Sequence, residues 1–267
     1  MANGLTQPYR SHSKRGAAAL YDPAASRWTV IGLPHELLGA AQLTAAWTGR
    51  DIIVASIGIA GAHFQVAAYE PAAARWTMIT PKLPRGHLPQ ELAMVGTPDH
   101  VLLWTFWARG RTLSKTSYVI IPGVDLFALA RSGRWTNVTG HTPQAQYVQS
   151  PVDAGGRILY LASTWCGSCS HPAPMLVPRL VSAATRAPVS ITPGQLRQGG
   201  DWLWTGASIV LISWPPRGKP AMAAYDPATR TWHLLARPPR DQEPTPVWAG
   251  RQLLALTSAG AFWAFHR

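Results

Sequence analysis

Short apolar runs separated by turn residues recur along the whole chain, and their order repeats. In the clearest unit an apolar run ends in Tyr, an acid-Pro turn follows, and a Trp opens the next run. It reads Tyr21-Asp22-Pro23-Ala24-Ala25-Ser26-Arg27-Trp28, then Tyr69-Glu70-Pro71-Ala72-Ala73-Ala74-Arg75-Trp76, then Tyr225-Asp226-Pro227-Ala228-Thr229-Arg230-Thr231-Trp232. A worn copy stands at Gly133-Arg134-Trp135 and a fainter one at Ala184-Thr185-Arg186-Ala187-Pro188-Val189. Ala17 to Leu20, Val66 to Ala68 and Met222 to Ala224 precede the three Tyr residues, as buried strands do. The acid can bond its own downstream backbone and Pro presets φ for the turn. Each copy therefore predicts a β-hairpin.

A second unit lies between the copies. Ala46-Trp47-Thr48-Gly49-Arg50-Asp51-Ile52-Ile53-Val54 is echoed by Leu203-Trp204-Thr205-Gly206 and by Val247-Trp248-Ala249-Gly250-Arg251-Gln252-Leu253-Leu254. Looser versions are Val95-Gly96 with His100 to Leu103, and Ala154-Gly155-Gly156-Arg157 with Ile158 to Tyr160. A Gly turn followed by a β-branched or Leu-rich run is another hairpin. Two hairpins repeating roughly every 50 residues predict an all-β propeller of four-stranded antiparallel blades.

The first hairpin, Ala17 to Ile31, lacks the two strands that should precede it. Pro246 to Trp248 and Gln252 to Leu256 supply two such strands, so a ring closed by pairing of N- and C-terminal strands would hold about five blades. Ala261 to Phe265 is a surplus strand that competes with Ala17 to Leu20 for the same slot. The alternative is a longer propeller shortened at its N-terminus. Residues 1–15 predict a flexible basic arm and residues 16–267 the propeller.

The Gly-turn strand, the apolar strand to Tyr-Asp-Pro and the following Trp resemble the kelch repeat, as in bacterial kelch-type propellers. The resemblance runs from about Gly16 onward and implies a propeller of blades. The family's paired glycines after the second strand are missing, with only Gly58 near that place. Some enzymes of that fold carry copper at a cross-linked Cys–Tyr site; no residues here match it, and no cofactor is expected.

Composition adds a charge pattern. The 13 Trp fall mostly at repeat positions and are expected to pack blades. The net charge is +12 and Arg carries most of it. In an antiparallel blade the turns within hairpins share one face of the disc, and the connections between hairpins and between blades share the other. On the short-turn face eight Arg (Arg27, Arg50, Arg75, Arg134, Arg157, Arg186, Arg230 and Arg251) stand against six acids (Asp22, Asp51, Glu70, Asp99, Asp153 and Asp226), a largely compensated rim. The longer connections, among them 81–90 and 107–116, are more basic. That long-loop face gives the candidate ligand-binding residues Arg85, His87, Arg109, Arg111, His141, Arg197, Arg217 and Lys219, because long loops on a rigid scaffold are where binding residues concentrate.

Trp165-Cys166-Gly167-Ser168-Cys169 resembles the thioredoxin-like redox motif. Pro172, Pro174 and Pro178 leave little helix to lower a thiol pKa, so Cys166 and Cys169 are expected to be a local disulfide or free loop thiols. With His171 they leave a fourth zinc ligand unassigned, and no metal is expected. There is no Gly-x-Ser-x-Gly elbow, phosphate-cradling glycine loop or His-Glu-x-x-His. The leading expectation is a binding or scaffold propeller presenting a basic face to a protein or an anionic glycan or phosphate ligand. The alternatives are a carbohydrate-active enzyme working at the propeller centre and a thiol-redox protein. Scattered basic residues without a base-reading module disfavour nucleic acid. No apolar run reaches the length of a membrane span, and a monomer is expected. Residues 1–15 show no signal-peptide core, which makes the cytoplasm the default compartment.

Overall fold

The computed structural model describes residues 17–22, 27–58, 63–97, 100–114, 117–139, 146–164, 179–182, 188–191, 201–213, 221–237, 245–249, 252–256 and 262–266. The expected arm, residues 1–15, lies outside them. Every regular element among the described residues is a strand except a 3-10 turn at His35–Leu37. Strands β1 (Ala17–Asp22) and β2 (Arg27–Gly32) form a two-stranded sheet. Four antiparallel four-stranded sheets follow among the described residues. They comprise β3 (Gln42–Trp47), β4 (Ile52–Ile57), β5 (Phe64–Glu70) and β6 (Arg75–Met78); then β7 (Pro89–Gly96), β8 (His100–Ser114), β9 (Ser117–Ala130) and β10 (Trp135–Asn137). The third has β11 (Gln146–Asp153), β12 (Ile158–Thr164), β13 (Arg179–Ser182) and β14 (Pro188–Ile191). The fourth has β15 (Asp201–Trp204), β16 (Ile209–Ser213), β17 (Ala221–Asp226) and β18 (Thr231–Leu234). The last sheet, β19 (Thr245–Ala249), β20 (Gln252–Leu256) and β21 (Phe262–His266), has three strands. First strands are neighbours in succession, β3 beside β7, β7 beside β11, β11 beside β15 and β15 beside β19. Sheets that gather their first strands and carry their later ones outward are the blades of a β-propeller.

The repeat residues explain why each sheet forms. Tyr69 pairs in register with Trp76, ring centroids 4.9 Å apart, and Tyr225 with Trp232 at 5.2 Å. Such cross-strand aromatic pairs stabilise a hairpin beyond their buried area. The turn between them puts Ala74 at φ 48°, Arg230 at φ 58° and Gly133 at φ 79°. All three stand two residues before their Trp, so the turn demands one left-handed residue there whatever the side chain. In the second hairpin type, Thr48, Thr97 and Thr205 each accept a bond on the hydroxyl from the backbone N–H three residues on and donate to the carbonyl of that residue. The Thr thus closes the turn, and Gly49 and Gly206, both at φ 92°, allow the reversal.

Blades are tied to one another at several radii. Apolar residues of β4, β5, β7, β8 and β9, including Ile53, Val66, Met94, Leu103 and Phe127, form one core between the β3–β6 sheet and the β7–β10 sheet. At the inner strands the Gln42 side-chain amide donates to Leu92 O (3.1 Å) and accepts from Leu92 N (3.0 Å), imitating a strand partner. At the outer strands Trp135 Nε1 donates to Ile79 O, and Trp76 Nε1 donates to Gly32 O at 2.8 Å. The Trp of each of these blades therefore holds the chain just where the preceding blade's last strand ends.

Two details depart from expectation. The strand that completes the pairing of β20 is β21, with Leu254 opposite Ala264, and β1 pairs among the described residues with β2 alone. The stretch 107–116, expected to be a loop, mostly continues β8 as far as Ser114, paired with β9. Its physical basis is the partner: Tyr118 to Ile121 is aromatic and β-branched, and such residues hold a strand even where the facing stretch is polar.

Candidate functional site

β8 and β9 are longer than any other strands of the described residues. Their pairing runs from His100 opposite Ala130 to Ser114 opposite Ser117, whereas β7 ends with Pro89 opposite Trp107. Beyond Trp107 the blade narrows to a two-stranded ribbon on the long-loop face, and Arg109 and Arg111 are ribbon positions, opposite Ile121 and Val119. These two candidates thus belong to a strand rather than a loop.

A compact polar group sits at the foot of the ribbon, on the same side of the blade as the core shared with the β3–β6 sheet. Asp125 on β9 is 3 % exposed, and its register partner Thr105 is fully buried. Asp125 Oδ2 lies 2.8 Å from His87 Nδ1. His87 reaches it from the connection between β6 and β7, where a turn bonds His87 N to Pro84 O and Gly86 takes φ 81°. The His87 ring stacks on the Trp107 indole, centroids 3.8 Å apart and planes 23° from parallel. Gly123 makes this possible. It is the register partner of Trp107, and a Cβ there would stand 2.0 Å from the indole. Burial of an Asp inside an apolar strand requires a partner, and the imidazole supplies it from across the connection. Thr105 Oγ1 and Trp107 Nε1 are buried without a hydrogen-bond partner.

Nearby, Lys82 and Arg85 are exposed and form no ion pair among the described residues. Arg85 and His87 thus lie on one connection, and Arg109 and Arg111 at strand positions of one hairpin. His141, Arg197, Arg217 and Lys219 lie outside the described residues, as do Cys166 and Cys169. Sequence reasoning named His87 but missed Asp125, Trp107 and Gly123. The available signal was an acid flanked by apolar residues in Val124-Asp125-Leu126-Phe127.

On the opposite face one group of charges is paired. Glu70 accepts from Arg50 at 2.9 Å and from Arg75 at 3.3 Å, and Arg50 also lies 3.7 Å from Asp51. The bond from Arg50 holds the Glu70 carboxyl below its ordinary range. Asp226 caps its turn by accepting from Ala228 N at 2.8 Å, and its carboxyl is likewise held low, first by that bond. Glu70 therefore serves as the centre of an ion-pair group rather than bonding the turn backbone as the repeat suggested. Among the described residues no group of three His, Cys, Asp or Glu side chains is arranged to hold a metal, and no helix is long and apolar enough to cross a membrane.

The protein is a β-propeller. Solved structures to which the chain is similar include TolB from Acinetobacter baumannii, 14% identical with a TM-score of 0.48, aligned over 93% of this chain and 62% of that one. An oligogalacturonate lyase in complex with manganese is 12% identical, TM-score 0.47, over 100% of this chain and 86% of that one. The tricorn protease is 11% identical, TM-score 0.48, over 94% of this chain and 27% of that one. The chain thus spans somewhat less than two thirds of the TolB length. No protein-family model and no curated protein matches the sequence.

Proposed function

We propose that this propeller is a binding module whose long-loop face engages an anionic partner, an acidic protein surface or an anionic glycan or phosphate group. The observation that carries the reading is the asymmetry of the two faces. The β8–β9 ribbon extends past the end of β7 with Arg109 and Arg111 in it, while Arg50 and Arg75 opposite are already paired to Glu70. The ribbon is basic in sequence, and beside it the exposed Lys82 and Arg85 form no ion pair among the described residues, so this face would raise the local concentration of an anion. The repeat is read as a degenerate kelch-type unit, with the propeller taken as residues 16–267 and residues 1–15 as an arm. Reversing Arg109 and Arg111 together to Glu is expected to weaken retention on an immobilised sulfated polyanion at low salt. Reversing Arg27 and Arg75 to Glu is expected to leave retention nearly unchanged. Equal losses from the two pairs, in variants that melt like the parent, would reduce the effect to bulk charge.

A further inference from the structure

We propose that the β1–β2 hairpin and strand β21 are alternative partners for one edge of β20, which gives the molecule a strand-exchange latch. The proposal is independent of the binding reading and begins from register. In two complete blades the Gly-turn hairpin places the same residue opposite the repeat Tyr, Ile52 opposite Tyr69 and Ile209 opposite Tyr225. The corresponding residue after the Gly250-Arg251 turn is Leu253. Its repeat partner would be Tyr21 on β1, which would set Leu254 against Leu20. In the structure Leu253 instead faces Phe265, and Leu254 faces Ala264. Phe265 therefore stands in the place of the repeat Tyr.

The β1–β2 hairpin is otherwise built as the outer half of a blade. Tyr21 pairs with Trp28 in the register of Tyr69 with Trp76. Its far end is already held in the outer-strand position, because Trp76 Nε1 bonds Gly32 O as Trp135 Nε1 bonds Ile79 O. A two-stranded sheet on its own is marginal, and an open edge leaves a row of backbone groups without strand partners. The sheet β19–β20–β21 has the complementary composition, an inner hairpin followed by one strand of unrelated sequence. Exchange of β21 for β1 would join β19, β20, β1 and β2 into one four-stranded blade. It trades one strand partner of β20 for another and adds β2 to the sheet without new cross-strand pairs. Tethering within one chain favours this over pairing between copies.

The latch is tested by disulfide trapping in the full chain carrying Cys166→Ser and Cys169→Ser. Leu20→Cys with Leu254→Cys reports the exchanged state, and Leu254→Cys with Ala264→Cys reports the state described above. Leu20→Cys with Leu253→Cys is out of register by one residue, which turns the side chain to the other face. Under mild oxidation the first pair is expected to close within the monomer several-fold faster than this control. Phe265→Pro, at the register partner of Leu253, removes a donor that the repeat aims at β20 and is expected to increase that ratio further. Three results would overturn the latch: closure of the first pair no faster than the control, closure only as a dimer, or no increase of the ratio with Phe265→Pro in a variant whose circular dichroism matches the parent. The comparison of the first pair with its control stands without the proline variant, so a folding failure there leaves the proposal decidable.

Discussion

The two faces of this propeller use the same strands differently. On the short-turn face connections among the described residues close on themselves: Thr48, Thr97 and Thr205 bond both sides of their turns, and Asp226 bonds the amide two residues on. Arg50 and Arg75 there are paired to Glu70. On the long-loop face the connections reach across to other elements. His87 leaves its own turn to meet Asp125 on a neighbouring strand and to stack on Trp107, and β8 and β9 run on past their blade. Local closure makes a turn repeatable, because every group it needs lies within a few residues. Long connections are free to differ between blades, which is why they carry the individual features of a repeat protein.

The largest expected effect comes from the rim, which serves both faces. Trp76→Ala removes a half-buried indole and its bond to Gly32 O, and is expected to cost on the order of 3 kcal/mol in urea unfolding. Trp76→Phe keeps most of the ring and should cost about 1 kcal/mol for the lost hydrogen bond. Equal losses would mean that the bond rather than the packing holds the blade.

Next in size is a change confined to the long-loop face. Gly123→Val would force the Trp107 indole away from its seat and with it the stacked His87. Overpacking of this kind costs roughly 1–3 kcal/mol. Hydrogen exchange should quicken in β8 and β9 around that pair, while the amides of the Thr48 and Thr205 turns keep their protection. Accelerated exchange in those turns as well would show that the two faces are not independent.

Smaller and opposite in sign is relief of the left-handed turn residues. Ala74→Gly and Arg230→Gly place glycine at φ 48° and φ 58°. Each should raise stability by up to about 1 kcal/mol, since an L-residue is strained there and glycine is not. An unchanged or lower urea midpoint would place the greater cost in the added freedom of the unfolded chain.

The smallest effect is the acid response of the short-turn face. Asp226 and Glu70 are both held below the ordinary carboxylate range, by the Ala228 amide and by Arg50 respectively. Their stabilising contribution is complete above that range and is lost as pH falls through the lowered folded values. Asp226→Asn and Glu70→Gln should therefore each flatten the fall in melting temperature on acidification. Both groups are well solvated, so the changes are slight. Added salt should abolish the Glu70 effect and spare most of the Asp226 effect, because the first is an exposed ion pair and the second a backbone cap.

The repeat itself was legible in the chain. Tyr-Asp-Pro to Trp and the Thr-Gly turn state their hairpins through residues within one turn of each other, and those hairpins are where the sequence placed them, from β5–β6 to β17–β18. What sequence alone could not decide was which distant edges meet. Ala17 to Leu20 and Ala261 to Phe265 are both fit to pair with β20, and local pattern does not rank them; in the structure β21 occupies the edge. Polar Arg109 and Arg111 read as a loop until their strand partner at Val119 to Ile121 is known. The His87–Asp125 pair joins residues 38 apart in sequence. It exists because the blade carries Asp125 beneath a connection that Gly86 turns back onto it, an approach set by the packing of whole strands rather than by any nearby residue.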